Sequence, residues 1–187
     1  MNLILASASP RRRELIKIID EKALCITADV EENVPDAVPA EEAPEFLACK
    51  KAFAVAKEHR DAIVIGCDTA VFIDGNMLGK PMDKEDAFNM LSLLSGRTHK
   101  VITGCCLVRN EKSLSFSCTS YVKFYDISEK EIREYIETGE PLDKAGAYGI
   151  QGKGSLIVEK IDGDYFNIVG LPISMLSRQI KNLMGET

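Results

Sequence analysis

The chain lacks most of the devices by which metal and nucleotide sites announce themselves. It has two histidines, His59 and His99, and its six cysteines (Cys25, Cys49, Cys67, Cys105, Cys106, Cys118) form no C-x-x-C pair, which excludes a zinc site of familiar spacing. Cys105-Cys106 sits in an apolar run, where packing is the expected role, and all six are read as reduced thiols of a cytoplasmic protein. There is no P-loop or dinucleotide fingerprint; Gly75 and Gly79 do not make one. No apolar run approaches a membrane span, and the opening residues lack the length and basic start of a signal peptide. Excess positive charge is missing too: the formal net charge is −6, which argues against duplex nucleic acid as the main partner. With 187 residues and 45% apolar content, one packed domain or two small lobes are expected, with no repeat or Pro-rich linker to separate them.

Positive charge is instead concentrated near the start. Leu3-Ile4-Leu5-Ala6 reads as a short strand running into Ser7-Ala8-Ser9-Pro10-Arg11-Arg12-Arg13. Ser9 is a natural N-cap and Pro10 a natural first helical residue, so a helix should begin there with its unsatisfied N–H groups at the strand end. Those groups, the helix dipole, two serine hydroxyls and three guanidinium forks suit a phosphate. A solvated basic face is the plainer reading of the same residues.

Further on, a strand over 23–28 ends in Asp29-Val30-Glu31-Glu32, a carboxylate-rich loop that either is simply solvated or offers oxygen ligands to a hard cation. A helix over 40–58 carries Ala43, Leu47 and Ala54 on one stripe. Lys51 falls on the same stripe, where it either snorkels from the core edge or meets an anion. Residues 61–73 read as a buried strand interrupted by Asp68-Thr69, and a carboxylate in such company is costly unless paired, hydrogen-bonded or metal-bound. Asp68 is therefore the first catalytic candidate, and the hairpin turning at Asp74-Gly75-Asn76 would bring Lys80 near it. A helix over 83–94 follows, then strands over 100–108 and 113–125 in an antiparallel hairpin. Ser128-Glu129-Lys130-Glu131 is a capping box that opens another helix. Residues 140–154 hold glycines at 146, 149, 152 and 154, which marks a ligand-binding loop bearing Gln151. Strands over 155–161 and 165–169 and a C-terminal helix after Gly170-Leu171-Pro172 complete the expected elements.

Taken together, Leu5-Ala6-Ser7-Ala8-Ser9-Pro10-Arg11-Arg12, Val30-Glu31-Glu32, Lys51-Ala52, Gly66-Cys67-Asp68-Thr69, Leu78-Gly79-Lys80-Pro81, Leu94-Ser95-Gly96, residues 143–152 and Gly170-Leu171-Pro172 resemble the Maf family in order along the whole chain. Maf proteins are nucleoside triphosphate pyrophosphatases, once described as inhibitors of septum formation. The resemblance implies a two-lobed α/β fold like that of the inosine triphosphate pyrophosphatases, an elongated mixed sheet flanked by helices with the active site in the central cleft, and two interwoven lobes in one domain. It implies hydrolysis between the α and β phosphates, with Asp68 as general base and Glu32 and Asp68 holding a divalent metal (Mg²⁺, Mn²⁺ or Co²⁺). Lys51, Lys80, Arg12, Ser7 and Ser9 would bind the triphosphate. Arg11, Thr69 and Gln151 match the family's dTTP/UTP branch, an amide at 151 being able to pair with both a donor and an acceptor on a pyrimidine edge. This chain has Cys49 where relatives often have arginine, and Lys50 precedes Lys51, so Lys50 stands as alternative to Lys51 and Glu31 as alternative to Glu32. A nucleotide-binding regulator of cell division without turnover is the competing function, and a homodimer the one macromolecular assembly considered.

Overall fold

The computed structural model describes residues 2–185. In chain order the elements are β1 (Leu3–Ala6), α1 (Pro10–Ile19), β2 (Leu24–Ile26), α2 (Ala43–Ala56), β3 (Ile63–Ile73), β4 (Asn76–Leu78), α3 (Lys84–Leu94), β5 (Thr98–Arg109), β6 (Lys112–Phe124), α4 (Glu129–Glu137), β7 (Val158–Asp162), α5 (Tyr165–Val169) and α6 (Ile173–Met184), with short 3₁₀ turns at Ala40–Glu42, Glu140–Asp143, Ala145–Ala147 and Gly152–Ile157. The strand order is β2-β1-β3-β5-β6-β7, with β4 paired to β3. β1 runs parallel to both β2 and β3, whereas β4 is antiparallel to β3 and β7 to β6, so the sheet is mixed. The chain divides into two compact units: residues up to Asp68, Thr103–Cys118 and from Gly170 onward form the first, and Thr69–Ile102 with Thr119–Val169 the second.

In the first unit, β1 is central: the chain leaves it through α1 to β2 on one side and then crosses back through α2 to β3 on the other. In open α/β sheets such a reversal of strand order is where ligands bind, outside the carboxyl ends of the strands. The register Ala6↔Gly66 brings the end of β1 level with Gly66-Cys67-Asp68. Side chains of β1, α2 and β3 make the core here: Ile4, Ala6, Val55, Ala62 and Val64 form one cluster, and Ala48, Ala52, Cys106 and Val108 another. Two glycines set how closely α2 lies on the strands. A Cβ at Gly66 would fall on the Ala48 carbonyl, and one at Gly104 on the Pro44–Glu45 backbone. Only glycine permits that approach, and it fixes the height of every side chain that α2 presents.

In the second unit, Ala87, Leu91 and Leu94 of α3 and Ile132, Tyr135 and Ile136 of α4 pack with Val71, Val122 and Phe124. α4 begins at the expected capping box: the Ser128 hydroxyl accepts from the Glu131 N–H and the Glu131 carboxylate accepts from the Ser128 N–H at 2.8 Å. Such a cap is worth about 1 kcal/mol. Residues 165–169, expected as a strand from their Tyr, Phe, Ile and Val content, are helical instead. Asp164 Oδ1 accepts the Phe166 N–H at 2.8 Å and so starts the turn, overriding β-propensity locally. The strand expected from 155 begins only at Val158, because residues through Ile157 wind as a 3₁₀ turn out of the glycine-rich segment.

Candidate active site

The site is built where β1 ends, level with the middle of β3. Ser9 caps α1 as expected, its side chain accepting the Arg12 N–H, and Pro10 is the first helical residue. The buried Ser7 hydroxyl accepts the Ser9 N–H at 3.2 Å, which folds the 7–9 turn back on itself. Arg12 is not simply a solvated cation. Its Nε donates to the Gly170 carbonyl at 2.7 Å and a terminal nitrogen donates to the Cys67 carbonyl at 2.8 Å, tying α1 to the residue just before Asp68.

Lys51 joins the carboxylates. From α2 its Nζ lies 2.6 Å from Asp68 Oδ1 on β3 and 2.7 Å from Glu32 Oε1 in the acidic loop. The lysine on the inward stripe thus meets anions. The two links differ in strength: the Lys51 and Asp68 side chains are only 11% and 17% exposed, whereas Glu32 is 60% exposed. Breaking a buried pair costs roughly 3–5 kcal/mol, an exposed pair roughly 0–1 kcal/mol. Lys51–Asp68 is therefore the anchor and Glu32 the adjustable member. Lys50 does something else. Its Nζ donates to the Glu31 carbonyl at 2.8 Å and the Asn33 carbonyl at 3.2 Å, gripping the backbone on either side of Glu32.

Among the described residues no group of three or more His, Cys, Asp and Glu side chains could hold a metal ion. Glu32 and Asp68 nevertheless fit one class of cation. Two oxygen donors that converge on a single Nζ suit Mg²⁺ or Mn²⁺ of the kind bound by one or two carboxylates with substrate phosphates completing the shell.

The remaining candidates lie elsewhere in the chain. Arg11 is half-buried on the first turn of α1; Thr69, Lys80 and Gln151 belong to the second unit, Thr69 half-buried and Lys80 and Gln151 exposed. The lysine that meets Asp68 is Lys51. Cys67, adjacent to Asp68, has its Sγ 3.3 Å from Cys105 Sγ, and burial pushes the Cys105 thiol up; all six cysteines are free. Sequence reasoning missed His99. It is fully buried against Phe124 and Tyr148, its Nε2 is 2.7 Å from the Tyr148 hydroxyl, and burial lowers its pKa to about 4. Nothing in the sequence around residue 99 signals this beyond an apolar strand. No helix among the described residues is long and apolar enough to cross a membrane.

With this geometry in place, comparison with known proteins is informative. The chain is 50% identical over 179 residues to a dTTP/UTP pyrophosphatase of Bacillus velezensis, covering 96% of this chain and 95% of that protein. It is 47% identical over 178 residues to a dTTP/UTP pyrophosphatase of Bacillus cytotoxicus, covering 95% and 93%. Among solved structures it is similar in fold to the Staphylococcus aureus Ham1 protein, with a TM-score of 0.55 at 17% identity over 97% of this chain and 99% of that one. The model of the Maf-like proteins matches residues 2–183, so the chain that joins a capped basic helix to a lysine-bridged pair of carboxylates belongs to the Maf family.

Proposed function

We propose that this protein is a cytoplasmic nucleoside triphosphate pyrophosphatase acting on dTTP and UTP, and on modified pyrimidine nucleotides of the same shape. The single observation that carries this reading is the bridge Glu32–Lys51–Asp68, next to Cys67, whose carbonyl accepts from Arg12 in the first turn of α1. Relatives about half identical over nearly their whole length bear that activity in their names.

In this reading Asp68 accepts a proton from the water that attacks the α-phosphorus. The bond from that phosphorus to the bridging oxygen breaks, and pyrophosphate leaves with the nucleoside monophosphate as co-product. An ionised carboxylate is acceptor-only, as a general base must be. Lys51 holds Asp68 in place and places positive charge where the phosphoryl oxygens gain negative charge. The N–H groups of α1, the Ser7 and Ser9 hydroxyls, Arg12 and Lys80 bind the phosphate chain. Glu32 and Asp68 would hold a divalent cation, which when bound offsets the charge of the polyphosphate. Arg11, Thr69 and Gln151 meet the base, Gln151 with an amide that both donates and accepts.

The test is a panel of dTTP, UTP, CTP, dATP, GTP and 7-methyl-GTP with Mg²⁺ or Mn²⁺, resolving monophosphate, diphosphate, pyrophosphate and orthophosphate. Pyrophosphate from dTTP and UTP is expected. Preference for 7-methyl-GTP would overturn the reading of Arg11, Thr69 and Gln151; binding without turnover of any triphosphate would favour a regulator.

A further inference from the structure

The segment 149–154, which carries Gln151, is held by two side chains, Glu140 and Tyr135. Glu140 sits at the start of a 3₁₀ turn, and its carboxylate reaches across to the segment. Oε1 accepts the Gly154 N–H at 3.1 Å and the Tyr135 hydroxyl at 3.0 Å, and Oε2 accepts the Lys153 N–H at 3.0 Å. Tyr135, from α4, closes the ring: the hydroxyl that donates to Glu140 accepts the Gly149 N–H at 3.1 Å. Donors on both sides of Gln151 therefore converge on one carboxylate and one phenol. Bonds to an ionised acceptor are the stronger class, and burial of Tyr135 raises its pKa, so its hydroxyl stays a donor.

The holder is itself held. The Glu140 N–H donates to Thr138 Oγ1 at 3.2 Å, and Lys144 Nζ donates to the Glu140 carbonyl at 2.5 Å. Gly152 adopts φ +64, and a Cβ there would stand 2.8 Å from Glu140 Oε2. Its glycine thus answers to the carboxylate pressed against it as well as to the backbone angle. On the other flank, Tyr148 is pinned by its hydroxyl to His99. Gln151 itself is exposed, on a short stretch whose neighbours are fixed.

We propose that Glu140, acting with Tyr135, is the positioning residue for base recognition: the pair fixes the backbone of 149–154 so that the exposed Gln151 amide is presented in one orientation to a pyrimidine edge. This rests on the reading of Gln151 as a base contact. A mobile amide presents donor and acceptor in either order, whereas a fixed one discriminates uracil from cytosine, whose edges exchange donor for acceptor at the 4-position.

The experiment uses the full chain as E140A, E140Q, Y135F and Q151A, with two readouts. The first is amide hydrogen exchange at Gly149, Lys153 and Gly154, which does not depend on what Gln151 does. E140A and Y135F are expected to exchange about tenfold faster at these sites, and E140Q, which keeps one oxygen acceptor, to fall between. Unchanged protection overturns the proposal. The second is the ratio of kcat/KM for UTP over CTP, expected to fall about tenfold in E140A and Y135F, mainly through KM, with kcat near that of the unaltered protein. If Q151A loses discrimination while E140A and Y135F keep it, the positioning role falls and the base contact stands. If Q151A keeps discrimination, the base contact falls and with it the recognition role of Glu140, leaving exchange to decide the backbone claim alone. Should E140A fail to fold, Y135F, which removes only a hydroxyl, carries both readouts.

Discussion

The two units bury titratable groups in opposite ways. In the first, Lys51 enters the protein in company: its ammonium meets Asp68 and Glu32 at 2.6 and 2.7 Å, so charge is brought in against charge. In the second, His99 enters among Phe124 and Tyr148 with a hydroxyl rather than a carboxylate on Nε2, and its pKa falls to about 4. Paired charges survive burial and remain available for chemistry; an imidazole buried without a countercharge is driven neutral and becomes packing. The same contrast separates the acid-lysine cluster, ordered by charge against charge, from the 149–154 segment, whose order comes from backbone N–H groups on Glu140 and Tyr135.

The sharpest way to break the charged side is D68N, which keeps the shape and removes the proposed base. Turnover should fall by roughly 10²–10⁴-fold with triphosphate binding retained, as steady-state kinetics and equilibrium binding on the same preparation will show. Residual turnover near the original rate would remove Asp68 from the chemistry.

The neutral side is probed by pH. Below about 6.5 the unfolded chain takes up a proton at residue 99 that the folded chain refuses until about 4, so this residue's contribution to stability is lost as pH falls through that window. The full loss amounts to about 3 kcal/mol. H99L should therefore show a flatter dependence of urea midpoint on pH between 7 and 4.5, whatever its stability at pH 7; an unaltered slope would contradict the assignment.

Packing that brings the charges together comes next. G104A puts a methyl group into the Pro44–Glu45 backbone of α2 and should cost roughly 1–3 kcal/mol, seen as a lowered Tm, with kcat reduced because Lys51 is displaced from Asp68. A stable G104A of normal activity would show that the height of α2 is not critical.

The smallest effect is expected for K50A. Losing two exposed bonds to the Glu31 and Asn33 carbonyls should loosen Glu32 by about 1 kcal/mol or less, raising the Mg²⁺ needed for half-maximal rate a few-fold while KM for UTP at saturating Mg²⁺ stays put. An effect on KM alone would make Lys50 a phosphate ligand instead.

Much of the charged side was legible in the sequence because its signals are local. Ser9-Pro10 announces a helix start, Asp68 interrupts an apolar strand, and Lys51 sits on an inward stripe; each can be read within a few residues. What could not be read was partnership. The stripe put Lys51 inward without naming its partners, Asp68 and Glu32, because the register of β1 on β3 and the glycine contacts of α2 are set by tertiary packing. The bonds of Arg12 to the Gly170 and Cys67 carbonyls were likewise not legible, since only the fold brings those residues to α1. The glycine-rich loop was visible as a loop, but its dependence on Glu140 and Tyr135 joins residues that only the fold brings together. Residues 165–169 misled because β-branched and aromatic content outweighed a single aspartate cap.

The central claim is that the lysine-bridged carboxylates direct water to the α-phosphorus. Hydrolysis of UTP in heavy-oxygen water, with the products separated and weighed by mass spectrometry, tests it most directly. The account predicts one heavy oxygen in the UMP and none in the pyrophosphate, with both products lost in D68N. Label in the pyrophosphate, release of orthophosphate as the first product, or undiminished labelling by D68N would contradict it.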